Sequence, residues 1–334
     1  MIKSFIAFAL GICTIVSPAF SQSNHKISKT FHIASSGGWD YLSVNGDKLY
    51  VSHGGQVNIL DKNSGDSVGV IENTTGVHGI AFVPSLNKGY TSNGRLNNVT
   101  VFDLKTNKVL GQIATGQNPD AIFYDNFSKK IITCNGRSNN LTFIDPVKGE
   151  VTNTVAVGGK PETAVSDDAG KLFVNIEDKN EIVEIDVKTF TVEKHWPLAP
   201  AEGPTGLAID TKTHRLFAGC DKLLAVLDAA NGKLVAKVPI GDGCDGVAFD
   251  PATKNVFTSN GDGTMTVVHE NGANDFKVAE TVKTKPRART IAIDESTHRL
   301  YLPTADFEPL PANAAKNERP KMVSGTFQVL VIEK

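Results

Sequence analysis

The sequence predicts an all-β fold, a seven-bladed β-propeller of four-stranded antiparallel blades. Three observations carry the prediction. One phrase of strand signals recurs seven times at intervals of about 40 residues. Only strand-type patterns fill each interval. The last copy ends one strand short, while an unassigned strand stands ahead of the first copy.

The first strand of each copy is an apolar tetrad, at 41–44, 79–82, 121–124, 163–166, 206–209, 246–249 and 290–293. The second strands lie at 49–53, 89–93, 131–135, 172–175, 216–219, 256–260 and 300–304. Third strands alternate apolar and polar residues, as at 56–61 and 98–103, the period of a half-buried strand. Five of them close on Asp61, Asp103, Asp145, Asp186 and Asp228, each before a turn. An aspartate there accepts from its own downstream amides, so these are expected to be turn caps and not catalytic acids. The seventh copy finishes at 325–332 without a fourth strand, and residues 26–34 resemble the fourth strand at 108–114. The N-terminal strand is therefore predicted to complete blade seven, which would leave no open edge between first and last blades.

Composition agrees with one globular unit. The 334 residues are 40% hydrophobic, and 34 basic against 36 acidic side chains leave a net charge of −2. With no basic stripe, nucleic acid is not an expected partner. Residues 1–21 combine Lys3, an apolar run at 5–16, and Ala19 and Ser21 at a cleavage-type position, the pattern of a signal peptide. That run is too short to span a bilayer as a helix. The expectation is a single propeller domain over 22–334, periplasmic or secreted, monomeric and without a transmembrane segment.

Strand direction places candidate chemistry. In a blade the first strand starts and the second ends on the same face. Asp40, His78, Asp120, Glu162, Thr205, Asp245 and Arg289 therefore ring one mouth of the central channel. His53, Asn93, Asn135, Asn175 and Asn260 end the second strands close by, Trp39 precedes Asp40, and Arg95 and Arg137 follow two of the Asn-Gly pairs. Converging polar groups at a concave place make this mouth the expected ligand-binding site. Asp40, His78, Asp120, Glu162 and Asp245 are the candidate ligands of a divalent cation. Their oxygens suit Ca²⁺ or Mg²⁺, and the pair His53 and His78 would shift the preference toward Zn²⁺. Arg95 and Arg137 would receive an anionic group. The structural alternative is a ring of solvated groups around a water-filled channel, since no HExxH or paired CxxC motif is present.

Two further features sit on the same face. The insertion at 305–324, with Pro309, Pro311 and Pro320, is expected to form a partial lid. Cys220 and Cys244 fall in adjacent blades, and a disulfide between them would suit an exported protein. Cys134 lies within a strand and reads as a buried thiol.

The motif YTSN at 90–93 and its counterparts each lead into a strand ending in Asp and then a Gly-Pro-type crossover, at 116–119, 159–161 and 203–204. In these motifs the chain resembles YVTN-repeat proteins, the exported bacterial YncE-like family of the quinoprotein amine dehydrogenase-like propellers. The resemblance runs from about residue 26 to 334 and includes the Pro-bearing insertion. It implies an exported binding module that takes a small molecule or a periplasmic protein at the channel mouth, with no catalysis. Related propellers suggest two alternatives, a metal-dependent lactonase-type hydrolase and an accessory subunit of a periplasmic redox enzyme. A CxxCH motif is absent, so covalent haem on this chain is not expected.

Overall fold

The computed structural model describes residues 24–311 and 320–334. The expected signal peptide at 1–21 and the middle of the insertion lie outside the described residues. Seven four-stranded antiparallel sheets form the ring of a seven-bladed β-propeller. Six blades are contiguous in sequence, with inner strands Trp39–Asn45, Val77–Val83, Pro119–Asp125, Pro161–Ser166, Leu207–Asp210 and Cys244–Asp250. The seventh combines Ala292–Asp294, Arg299–Thr304 and Gln328–Glu333 with the N-terminal strand Lys26–His32. Its register runs from Lys26 opposite Glu333 to His32 opposite Gln328. Phe31 and Ile33 are buried against Leu42, Leu49 and Phe327, so the closing strand also joins blade seven to blade one.

The core lies between blades. Tyr50 of blade one packs on Phe82 and Phe102 of blade two, at centroid distances of 4.8 and 6.1 Å. Second strands such as Lys88–Asn93 are buried almost throughout because both of their faces meet a neighbouring blade. Around the channel the inner strands approach closely. A Cβ at Gly79 would lie 2.8 Å from Ile122 Cγ2, and one at Gly206 would lie 2.6 Å from the Val247 amide nitrogen. Glycine opens those tetrads for that reason.

The third-strand aspartates are turn caps. Asp61 Oδ1 accepts from the amides of Asn63 and Ser64 at 2.8 and 2.9 Å, and Asp103, Asp145 and Asp186 repeat the pattern. The Lys130 ammonium, together with such amides, holds Asp145 down at about 2. Asp210, Asp250 and Asp294 form a second capping set at the ends of inner strands, a set the sequence reading missed. Among the described residues, no helix is long and apolar enough to cross a membrane.

Candidate functional site

A recurring irregularity builds the mouth. The pairing of inner and second strands shifts register between Trp39 and Leu42, Val77 and Ile80, Pro119 and Ile122, Pro161 and Ala164, and Cys244 and Gly246. Each shift brackets one predicted rim residue: Asp40, His78, Asp120, Glu162 or Asp245. A bulge bends the strand and re-aims the side chain within it. Hydroxyls then lock the bulges across blades. Thr290 Oγ1 donates to the Asp40 carbonyl at 2.7 Å, Thr205 Oγ1 to that of Cys244 at 2.7 Å, and Ser92 Oγ to that of Asp120.

The result is a compact cluster from three adjacent blades. His78 Nδ1 lies 2.6 Å from Asp40 Oδ2 and 3.6 Å from Asp120 Oδ1. One ligand atom from each of the three residues falls within 4.8 Å of the others, a spacing suited to a metal ion. Burial alone would lower the His78 pKa. The hydrogen bond to Asp40 and the charges of Asp120, Asp40 and Glu162 overcome it and raise the value to about 9. Asp120 rises to about 6, through burial first and the Asp40 charge second. Glu162 rises to about 8, through burial, the Asp120 charge and the neighbouring Glu177 carboxyl, with Lys160 opposing.

Two predicted cation ligands are committed elsewhere. Glu162 pairs with Lys160, which also pairs with Glu177. Asp245 pairs with Arg289. The mouth is therefore not a bare acidic ring, because Lys160, Arg289 and Arg287 stand within it. Lys160 and Arg287 were not anticipated, although the first lies in the crossover at 159–161 and the second two residues before Arg289.

The second-strand residues are buried and hydrogen-bonded within the fold. His53 is buried, with Nδ1 on Ser35 Oγ at 2.5 Å, Nε2 donating to the Gly37 carbonyl at 2.9 Å, and its ring stacked on Phe327 at 3.8 Å. Both ring nitrogens of His53 are thus engaged by Ser35 and Gly37, while His78 bonds to Asp40. Burial holds its pKa down, against the Gly37 carbonyl. Asn93, Asn135 and Asn260 are also buried, each tied to threonines or asparagines of its own blade. Asn135 Oδ1 accepts from Thr133 at 2.9 Å, and its Nδ2 donates to Asn140 and Thr142 at 2.8 Å. Asn175 Nδ2 braces blade four to blade five through the carbonyls of Thr205 and Gly206. Periodicity placed these side chains at the mouth end of their strands but not on which side of the sheet they turn. Arg95 and Arg137 are exposed on their loops.

The expected disulfide is not formed: Cys220 and Cys244 are buried free thiols, as is Cys134. Their sulfurs turn to backbone carbonyls instead, Cys220 to Ala218 at 3.6 Å and Cys244 to Gly246 at 3.7 Å.

Below the cluster, Tyr41 reaches from blade one toward Thr163 of blade four, with 3.5 Å between hydroxyls. It lines a channel cavity of about 220 Å³ with Gly79, Ala121, Thr163, Gly206 and Thr290. Burial, then the charges of Asp120, Asp40 and Glu162, drive its phenol pKa well up. At the rim, Trp39 stacks on Phe327 at 5.2 Å and meets Phe307 of the insertion at 6.0 Å. The flanks of the insertion are joined by a bridge between Phe307 and Met322.

Comparison with known proteins follows the fold. A family model described as a domain of unknown function, DUF5074, matches residues 14–202. Among solved structures the chain is similar to Kuenenia stuttgartiensis hydrazine synthase, at 15% identity and a TM-score of 0.71, over 81% of this chain and 94% of that one. At that identity the likeness is one of fold. No curated protein sequence matches the chain.

Proposed function

The chain belongs to the DUF5074 family, and from that premise we propose that it is an exported binding module that receives its ligand at the channel mouth. Within the mouth, Asp40, His78 and Asp120 are the centre that takes a divalent cation. The observation that supports this is their convergence, with one ligand atom from each inside 4.8 Å on three rigid strands. Two carboxylates and one imidazole suit a mixed oxygen and nitrogen site. The cation would take the place of the His78 proton, so both compete for the same lone pair. Export rests on the leader pattern at 1–21, and kinship with YVTN-repeat proteins on the motif at 90–93 and its counterparts.

A second reading, a metal-dependent lactone hydrolase, rests on the same three residues, where a bound cation would polarise the lactone carbonyl and activate water. Thermal unfolding of chelator-treated protein with added Ca²⁺, Mg²⁺, Mn²⁺ or Zn²⁺ tests the cation centre. A cation at about 100 times its Kd should stabilise the fold by about 2.7 kcal/mol. Asp40→Asn together with Asp120→Asn should abolish that gain. No cation-dependent shift in the wild-type chain would overturn the cation centre, and lactone turnover by the loaded protein would replace the binding role with the hydrolase.

A further inference from the structure

Beside the cluster, where blade seven meets blade one, lies a cavity of about 330 Å³ whose walls include Trp39, Arg287, Arg289, Phe307, Pro320 and Met322. We propose that this cavity is a subsite for a small aromatic carboxylate, with the ring against the wall formed by Trp39 and Phe307 and the carboxylate on Arg287. The assignment rests on the mouth being a ligand-receiving face, and not on a cation at Asp40, His78 and Asp120.

The shape fits the lower end of the range for small-molecule pockets. Two aromatic rings meet at 6.0 Å and 51° to form one apolar wall, and Met322 and Pro320 extend it. The walls are held in place, since Trp39 is stacked on the buried Phe327 and Phe307 is bridged to Met322. A flat apolar body entering there exchanges water for aromatic faces, which favour offset or edge contacts.

The charge fits as well. Arg289 is neutralised by Asp245. Arg287 has no carboxylate partner among the described residues; its guanidinium lies 5.1 Å from the centre of the Phe307 ring. Trp39 Nε1 is buried and has no acceptor among the described residues. An apolar pocket edged by a guanidinium with no carboxylate partner among the described residues favours an anion, and the planar fork of arginine suits a carboxylate in particular. Arg287 and Arg289 also line a second cavity, of about 460 Å³, on the side of Asp245, so they stand at the boundary between the two. A free anion such as acetate would meet the charge but leave the rings in water. An uncharged aryl compound would fill the rings but leave the charge unmet.

The sequence holds two tryptophans, Trp39 and Trp196, so in a Trp196→Phe background the emission reports on Trp39 alone. Titration of the full chain with 3-phenylpropanoate should give a saturable change at millimolar concentration or below. 3-Phenylpropan-1-ol and acetate should each bind at least about tenfold more weakly, the loss expected for one charge-assisted pair. Arg287→Gln should weaken 3-phenylpropanoate by a similar factor. Equal binding of acid and alcohol, or no saturable change, would overturn the subsite without recourse to any Arg287 variant. Cation stabilisation measured on the same protein separates the two readings. If the cation shift persists while the acid fails to bind, the subsite falls alone. If the acid binds without a cation shift, the subsite stands and the cation centre falls.

Discussion

The His78 imidazole and the Asp40 carboxylate, from adjacent blades, meet at 2.6 Å inside a ring of further charges. That contact is the principal reason for a His78 pKa of about 9, since burial alone would move it the other way. Asp40→Asn keeps the shape and removes the charge. The His78 pKa should then fall from about 9 toward neutrality, read by NMR titration of its ring protons. A value unchanged by the substitution would show that Asp120 and Glu162 carry the effect.

The same cluster sets a pH dependence of stability. His78, Glu162 and Asp120 have folded pKa values of about 9, 8 and 6, all raised from their ordinary values of 6.5, 4.5 and 3.8. The folded state thus binds more protons than the unfolded state across this window. The contribution of each group is complete below its unfolded pKa and is lost as pH rises through its folded pKa. At the acid end, Asp145 and Asp294, both near 2, work in the opposite sense and lose their contribution as pH falls toward 2. Stability should peak near pH 5 and decline by a few kcal/mol toward pH 9. Thermal midpoints across that range check it, and a midpoint that rises from pH 5 to 9 would contradict the cluster.

His53 predicts the reverse phenotype. Its ring is a packed, fully engaged element between Ser35, Gly37 and Phe327. His53→Ala should destabilise the fold by about 2–4 kcal/mol through a cavity and unpaired partners, without changing cation-dependent stabilisation. Denaturant unfolding with and without cation separates the two effects.

The three strand cysteines offer a direct count. Cys134, Cys220 and Cys244 are free and buried, and burial pushes Cys220 up to about 12. They should resist thiol reagents in the native protein and all react after unfolding without reductant. Loss of the Cys220 and Cys244 reactions alone would restore the disulfide.

The repeat made the fold legible because one blade cannot bury its faces alone, so the pattern must recur with every blade. Strand direction likewise put Asp40, His78 and Asp120 on one rim. What periodicity could not supply is which way a side chain turns at a bulge. Asp40 and His78 turn into the channel mouth, whereas Asn93 and Asn135 turn into their own blades. Nor could it reveal Lys160, whose role depends on Glu162 and Glu177 arriving from different segments.

Closure by the N-terminal strand is the most demanding test of the architecture. Lys26–His32 pairs along the edge of Gln328–Glu333, and Ile33 continues the contact through its amide to the Phe327 carbonyl at 3.0 Å. Removing residues 24–34 would strip that edge of its partner and expose Val329 and Val331, which pack in the same core cluster as Phe31. The burial lost with Phe31 and Ile33 alone is worth roughly 3–6 kcal/mol. The truncated chain should therefore unfold at a markedly lower temperature and tend to associate through the opened edge. A thermal midpoint and a sedimentation profile equal to those of the full chain would show that the ring holds without its closing strand.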